Sequence, residues 1–224
     1  MSQEFREGQA PVRDLEDLLD FFRRAEKSPE AFRVGVEYER LAYDAKSLEP
    51  PPYERIQRLL QRLTAVGFTA HPNREAPLWL TRGQSSISLE PGGQIELSGT
   101  PWQTLTEVHA ELQTFFSETE QAAALENLAF CPLALRPFGQ AREHPWMPRE
   151  RHKIMGQYLP SKGRKAHNMM LQTATVQASF DFSSELDIVN KMRCAMMLGP
   201  LLAGLCANSP YEEGLFTGYR SARY

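Results

Sequence analysis

Three cysteines in 224 residues is few, and Cys131, Cys194 and Cys206 form no CxxC pair. An odd number without a secretory signal argues for a reducing compartment, and the thiols are expected to be buried. Long apolar runs are missing too. The longest uncharged one, CAMMLGPLLAGLCA from Cys194 to Ala207, falls short of the ~20 residues that span a bilayer. The start, MSQEFREGQAPVRDLEDLLD, is too charged for a signal peptide, so a soluble cytoplasmic protein with no membrane partner is expected. Charge of one sign is also lacking. The 25 Lys and Arg residues stand against 28 Asp and Glu, scattered rather than striped, which removes the electrostatic footprint of a nucleic-acid binder. No internal repeat, low-complexity segment or Gly/Ser-rich linker divides the chain. A single domain over residues 1–224, with small molecules as partners, is the expectation.

What is there is a mixed order of helices and strands, and the expected class is α+β: a largely antiparallel sheet with helices packed on one face. DLEDLLDFFRRAEK (Asp14–Lys27) carries Leu and Phe at helical spacing and ends before Ser28-Pro29. FRVGVEYERLAYD (Phe32–Asp44) alternates as a strand, with Phe32, Val34, Val36 and Tyr38 on one face and Arg33, Gly35, Glu37 and Glu39 on the other. YERIQRLLQRLTAVG lines Ile56, Leu59, Leu60, Leu63 and Val66 along one helical stripe that stops at Gly67. SSISLE and QIELS read as strands joined by Pro91-Gly92-Gly93, a three-residue hairpin loop whose glycines supply positive φ. Thr100 is the expected N-cap of the next helix, with Pro101 at its first position, Gln103 closing a capping box, and an end near Asn127. LAFCPLAL reads as a strand and PRERHKIMGQYLP as a short helix. MLQTATVQASFDF alternates again, turning Ala174, Val176, Ala178, Phe180 and Phe182 to a core and Thr173, Thr175, Gln177, Ser179 and Asp181 to the other face. The last helix, about Ser184 to Ala207, is expected to be the central buried one, kinked at Gly199-Pro200.

Three strand units therefore present polar faces behind apolar ones. Residues i and i+2 of a strand share a face, so Glu37 and Glu39 stand roughly 7 Å apart, while Glu90 and Glu96 flank the Pro-Gly-Gly turn. If these strands are neighbours, four carboxylates converge. At ~5 Å two like charges repel by about 3 kcal/mol even with an effective dielectric of 20, and cations would relieve that repulsion. Hard oxygen donors without a His or Cys cluster favour magnesium or manganese over zinc. Magnesium leaves positions for water and phosphate oxygens, which points to a nucleoside triphosphate. The competing reading is a solvated acidic face near Arg33 and Arg40. Gly92-Gly93-Gln94 is not itself a phosphate loop, because it lacks the G-x-x-x-x-G-K-[ST] order and leads into a strand.

VGVEYE (Val34–Glu39), SLEPGGQIELSGTP (Ser88–Pro101), WMPRERHKIMGQYLP (Trp146–Pro160), TATVQASFDFSSELD (Thr173–Asp187) and ANSPYEEGLFTGYRSAR (Ala207–Arg223) occur in that order. With them the chain resembles glutamate-cysteine ligases of the plant and proteobacterial type, within the glutamine synthetase-like carboxylate-amine ligases. The resemblance extends over nearly the whole chain but only about the N-terminal half of the family's length. It implies a partial glutamine synthetase-like catalytic domain that uses ATP and magnesium (or manganese). The implied reaction joins the γ-carboxylate of glutamate to the amine of cysteine through an acyl phosphate, the first step of glutathione biosynthesis. By the same resemblance Glu37, Glu39, Glu90 and Glu96 are metal positions. Glu37, Glu96 and Arg151 would be catalytic, Arg151 gripping a substrate carboxylate, while Glu39, Thr175 and Gln177 would meet the nucleotide. Bland readings stand beside these: Arg151 as a surface residue of RERHK, Asp181 as a helix cap, Thr173 and Thr175 as β formers, and His152 as packing. Gln172 and Ser179 depart from the plant pattern, which has Arg and Asn there. The family continues beyond the position of Tyr224, and an alternative stays open: a truncated or split, non-catalytic glutamate- or nucleotide-binding module. Such a module would pair with a missing C-terminal half or form a homo-oligomer, and would expose apolar surface and a strand edge.

Overall fold

The computed structural model describes residues 11–73 and 75–221; most of the charged start, read above for signal-peptide character, and the end of the last family segment lie outside these residues. In chain order the elements are α1 (Leu15–Arg24), β1 (Val34–Asp44), α2 (Tyr53–Leu63), β2 (Thr69–His71), β3 (Trp79–Arg82), β4 (Ser85–Leu89) and β5 (Ile95–Ser98). There follow α3 (Leu105–Leu125), β6 (Leu128–Cys131), α4 (Glu150–Tyr158), α5 (Ala166–Gln172), β7 (Val176–Phe180), α6 (Glu185–Leu205), β8 (Tyr211–Glu212) and β9 (Leu215–Phe216). The main sheet runs β2-β3-β4-β5-β1-β6, with β7 also paired to β1. Every pairing is antiparallel, so the mixed, antiparallel class expected from the sequence is the class found.

β1 is the spine because its alternation serves two layers. Its even positions face the helices: Tyr38 stacks edge-on against Phe116 of α3, and Arg40 lies between the rings of Phe116 and Phe130 while its guanidinium donates to Thr119 Oγ1 at 2.6 Å. Its odd positions carry Glu37 and Glu39, then change character to Leu41 and Tyr43, which are buried with Ala174. The acidic face is therefore open at one end of β1 and roofed at the other. Beneath the sheet, Ile56, Leu59, Leu60 and Leu63 of α2 meet Leu80, Ile87, Ile95 and Leu97 of the strands and Phe115 of α3. This is the main core. At roughly 1.5–3 kcal/mol for each fully buried aliphatic side chain, it is what keeps the strands in register. Gly67, at φ 96°, ends the 3-10 turn Thr64–Val66 that follows α2, whereas Val66 is exposed at the rim instead of continuing the stripe.

Four expectations are corrected. The α3 cap is Thr104, in a reciprocal capping box with Glu107, and not Thr100. The chain around Thr100 is held extended: Val34 and Trp102 exchange two backbone hydrogen bonds, and the Thr100 N–H donates to Glu111. α6 is not a buried central helix. It runs unbroken through Pro200 with no buried residue, and Met197 is 78% and Leu205 83% exposed. The apolar side of β7 is likewise open, Val176 being 65% exposed, because no element among the described residues lies over it. The cysteines are not buried thiols either: Cys194 and Cys206 are exposed on or beside α6, and Cys131 is half-buried. Among the described residues no helix is long and apolar enough to cross a membrane.

Candidate functional site

The register of the sheet assembles the acids. Glu39 stands directly opposite Glu96 of β5, and Glu37 opposite Ser98 on one side and Gln177 of β7 on the other. Ser88 of β4 is in turn opposite Glu96. Directly opposed residues in an antiparallel pair have Cβ atoms about 4.5–5.5 Å apart, so Glu37, Glu39, Glu96 and Gln177 share one face. Glu90 sits at the end of that face, where β4 runs into the hairpin loop. The backbone N–H of Glu90 bonds the carbonyl of Gln94, and the N–H of Gly93 bonds the carbonyl of Glu90, which closes the three-residue Pro91-Gly92-Gly93 loop expected from the sequence. Of its two glycines only Gly93 takes positive φ, at 79°.

Each acid has a partial set of donors. Glu39 Oε2 accepts the backbone N–H of Thr175 at 2.8 Å, so Thr175 contributes main chain to the acid while its hydroxyl accepts from Gln177 Nε2 at 3.1 Å. Glu96 Oε1 has the hydroxyls of Ser98 at 3.3 Å and Ser88 at 3.5 Å, long contacts that leave most of its charge uncompensated. Glu90 takes both of its oxygens to Arg151 Nη2, at 2.8 Å each. The structure places Arg151 against Glu90 at the end of the acidic face, as the partner of an acid. The buried Arg149 lies two residues before it, its guanidinium 6.0 Å from the Trp79 ring. Asp181 neither caps α6, whose N-cap is Ser184, nor reaches the acids; it binds Lys27 and the backbone of Arg33. His152 is packing, as expected, its Nδ1 on the carbonyl of Met147.

The electrostatics of the cluster follow from burial and crowding. Burial, together with Glu96 and Glu90, pushes the Glu39 carboxyl up to about 7. Burial raises Glu96 as well, and Glu90 and Glu37 add to the effect. Glu90 is raised by burial in spite of Arg151 and Arg149. Three carboxyls held above their ordinary range on one patch are short of positive charge. Among the described residues no group of three or more His, Cys, Asp or Glu could cage a metal ion. A cation at this face would be held by one or two carboxylates, with water or phosphate in its remaining positions, and not by an all-protein cage.

Sequence reading missed Ser88, Ser98 and Arg149. A signal for the serines existed: a three-residue loop over 91–93 fixes the hairpin register and puts Ser88 beside Glu96 by counting alone. Arg149 had no such signal, since its burial depends on how the segment before α4 lies against β3.

A model of glutamate-cysteine ligase family 2 (GCS2) matches residues 33–224. The chain is 36% identical over 210 residues to the chloroplastic glutamate-cysteine ligase of Medicago truncatula, covering 93% of this chain and 41% of that protein. It is 38% identical to the Nicotiana tabacum enzyme, covering 93% and 40%, and 34% identical over 209 residues to glutamate-cysteine ligase B of Oryza sativa subsp. japonica, covering 93% and 42%. The chain spans about two fifths of the length of the curated relatives it matches. Each of those relatives is named chloroplastic, which overturns the expectation of a cytoplasmic protein drawn from the charged start. The family model covers the acid-bearing strands, the hairpin and the Arg151 helix together, and the chain belongs to the glutamate-cysteine ligase family 2.

Proposed function

We propose that this chain carries the magnesium-nucleotide side of a glutamate-cysteine ligase site, in the ATP-dependent joining of the glutamate γ-carboxylate to the cysteine amine. The observation that carries this reading is the meeting of Glu37, Glu39 and Glu96 on one sheet face, with Glu90 at its end and three of the four carboxyls pushed up. Bound magnesium would screen the phosphate charges and hold the transferred group in line. Glu39 and Glu96, paired across β1 and β5, are the first residues to receive it, since their mutual repulsion is what a cation relieves. Glu37 and Gln177 flank that pair on the β7 side and offer an acid and an amide to the nucleotide. The guanidinium of Arg151 is held beside the cluster by Glu90, where a substrate carboxylate would meet its positive charge. In the reaction a γ-carboxylate oxygen of glutamate attacks the γ-phosphorus as the bond to ADP breaks. The cysteine amine then attacks the acyl carbon, releases phosphate and gives up a proton.

The test is ADP release with magnesium, ATP, glutamate and cysteine, against mixtures lacking either amino acid. Release that needs both and is lost with EDTA or in Glu96→Gln supports the reading. A second reading, a split module that binds nucleotide but needs another chain to turn over, draws on the open apolar faces of β7 and α6. Magnesium-nucleotide binding without ADP release favours it, and absence of both sinks the two together.

A further inference from the structure

The loop that carries Glu90 is seated on the protein interior more tightly than a surface hairpin requires. Gln94 is 3% exposed, and all three of its amide contacts reach backbone. Its Oε1 accepts the N–H of Gly92 at 2.8 Å, while its Nε2 donates to the carbonyls of Met170 and Thr173, both at 2.9 Å. Gly92 is pressed against the same segment: a Cβ there would lie 2.2 Å from the Leu171 carbonyl oxygen. From the other side the buried Arg136 donates to the carbonyl of Ala42 in β1 at 2.8 Å and reaches that of Gly92 at 3.4 Å. The N–H of Met147 closes on the Pro91 carbonyl at 2.9 Å.

The placement of these bonds matters more than their number. Thr173 lies two residues before Thr175, whose N–H holds Glu39. Met147 leads into the segment from which Arg151 holds Glu90. One side-chain amide thus ties the Glu90 loop to the strand entry that fixes Glu39. No other residue type of this size supplies two donors and an acceptor in that fork: a carboxylate cannot donate, and a thioether does neither.

We infer that Gln94 is a positioning residue for the acidic site, setting the distance of Glu90 and its Arg151 partner from Glu39 and Glu96 through its bonds to Gly92, Met170 and Thr173. The inference rests on the magnesium-nucleotide reading above, and its failure is distinguishable from the failure of that reading. The variants are Gln94→Met, which removes all three bonds at similar volume, and Gln94→Glu, which keeps the shape and the Gly92 acceptor but loses the paired donors. Leu63→Ala, in the α2 core away from the loop, is a control for lost stability alone. Each is titrated calorimetrically with Mn2+ and a non-hydrolysable ATP analogue at pH 8, and its melting temperature and the amide exchange rates of Gly92 and Gly93 are recorded. The expected result is at least tenfold weaker binding and faster exchange at the two glycines in a Gln94 variant, with Leu63→Ala melting lower but binding as wild type. Should Gln94→Met not fold, Gln94→Glu carries the same comparison. A folded Gln94 variant that binds within twofold of wild type overturns the inference and leaves the site reading intact. Wild-type protein that binds no Mn2+ or nucleotide overturns the site reading, and the positioning role with it.

Discussion

Glu39 shows what the site costs the fold at the level of one residue. Its carboxyl is raised from an ordinary value near 4.5 to about 7, with burial the first cause. A group whose folded pKa is raised contributes stability below its unfolded pKa and loses it as pH climbs through the folded value, so the penalty is complete by pH 8. Glu39→Gln keeps an acceptor for the Thr175 N–H but cannot ionise. The variant is expected to be more stable than wild type without ligand at pH 8, by on the order of 2–3 kcal/mol, and to gain nothing from magnesium and nucleotide. Urea midpoints with and without ligand check both halves, and a variant less stable than wild type at pH 8 contradicts the argument. Two buried histidines give the opposite slope. Burial lowers His144 to about 3 and His152 to about 4, each from 6.5. They stay neutral in the fold and take protons on unfolding, so their stability is complete above 6.5 and is lost as pH falls toward 4, by about 1.4 kcal/mol per pH unit for each. Denaturation midpoints of Glu39→Gln, in which the raised Glu90 and Glu96 still oppose the histidines, should fall from pH 6.5 to 4.5, and should fall less when His144→Gln or His152→Gln is added. An unchanged slope in those double variants would mean that the imidazoles reach water in the folded state. Neither effect was legible in the sequence, which showed acids at strand spacing and histidines without metal partners but not how deeply either is buried.

At the scale of elements, alternation and turn chemistry carried far. The strand face of Glu37 and Glu39, the α2 stripe and the three-residue hairpin all follow from local pattern, and the stripe from Ile56 to Leu63 lies in the core. The start of α3 shows where local pattern is ambiguous. Thr100 and Thr104 are each followed three residues later by a residue able to close a capping box, Gln103 and Glu107. Long-range pairing of Val34 with Trp102 keeps the chain extended past Thr100, and the cap falls to the second threonine. Thr104→Ala removes the bond to the Glu107 N–H and should lower stability by about 1 kcal/mol, with the helix otherwise intact by circular dichroism. Thr100→Ala should be neutral by the same measure, since only its backbone is used. Equal losses in the two variants would return the cap to Thr100. Gly92 is the other lesson. Sequence reading assigned both loop glycines to positive φ, yet Gly92 is needed because Leu171 leaves no room for a Cβ, a contact that only the folded chain brings about.

For the whole molecule, apolar composition told where a helix should be and misled about what covers it. A helix apolar nearly all round reads as buried, and α6 is apolar through its second half, yet Met196, Met197, Leu201 and Leu205 lie open along it, as do Val176 and Phe180 of β7. The contrast with the core is regional: the strands and helices from Val34 to Leu128 bury most of their large apolar side chains among themselves, while those after Thr175 do not. Water contact at so many large side chains costs roughly 1.5–3 kcal/mol for each that could instead be buried, and a face of this kind associates when concentration allows. The isolated chain is therefore expected to sediment as concentration-dependent oligomers. Met196→Lys with Leu205→Lys should shift it toward monomer while changing unfolding stability by no more than about 0.5 kcal/mol per site, as for other solvent-facing positions. Sedimentation velocity and urea unfolding of the same samples decide the matter. A double variant that is monomeric and equally stable marks α6 as a contact face, whereas one that loses several kcal/mol would mean that these side chains are packed inside the fold.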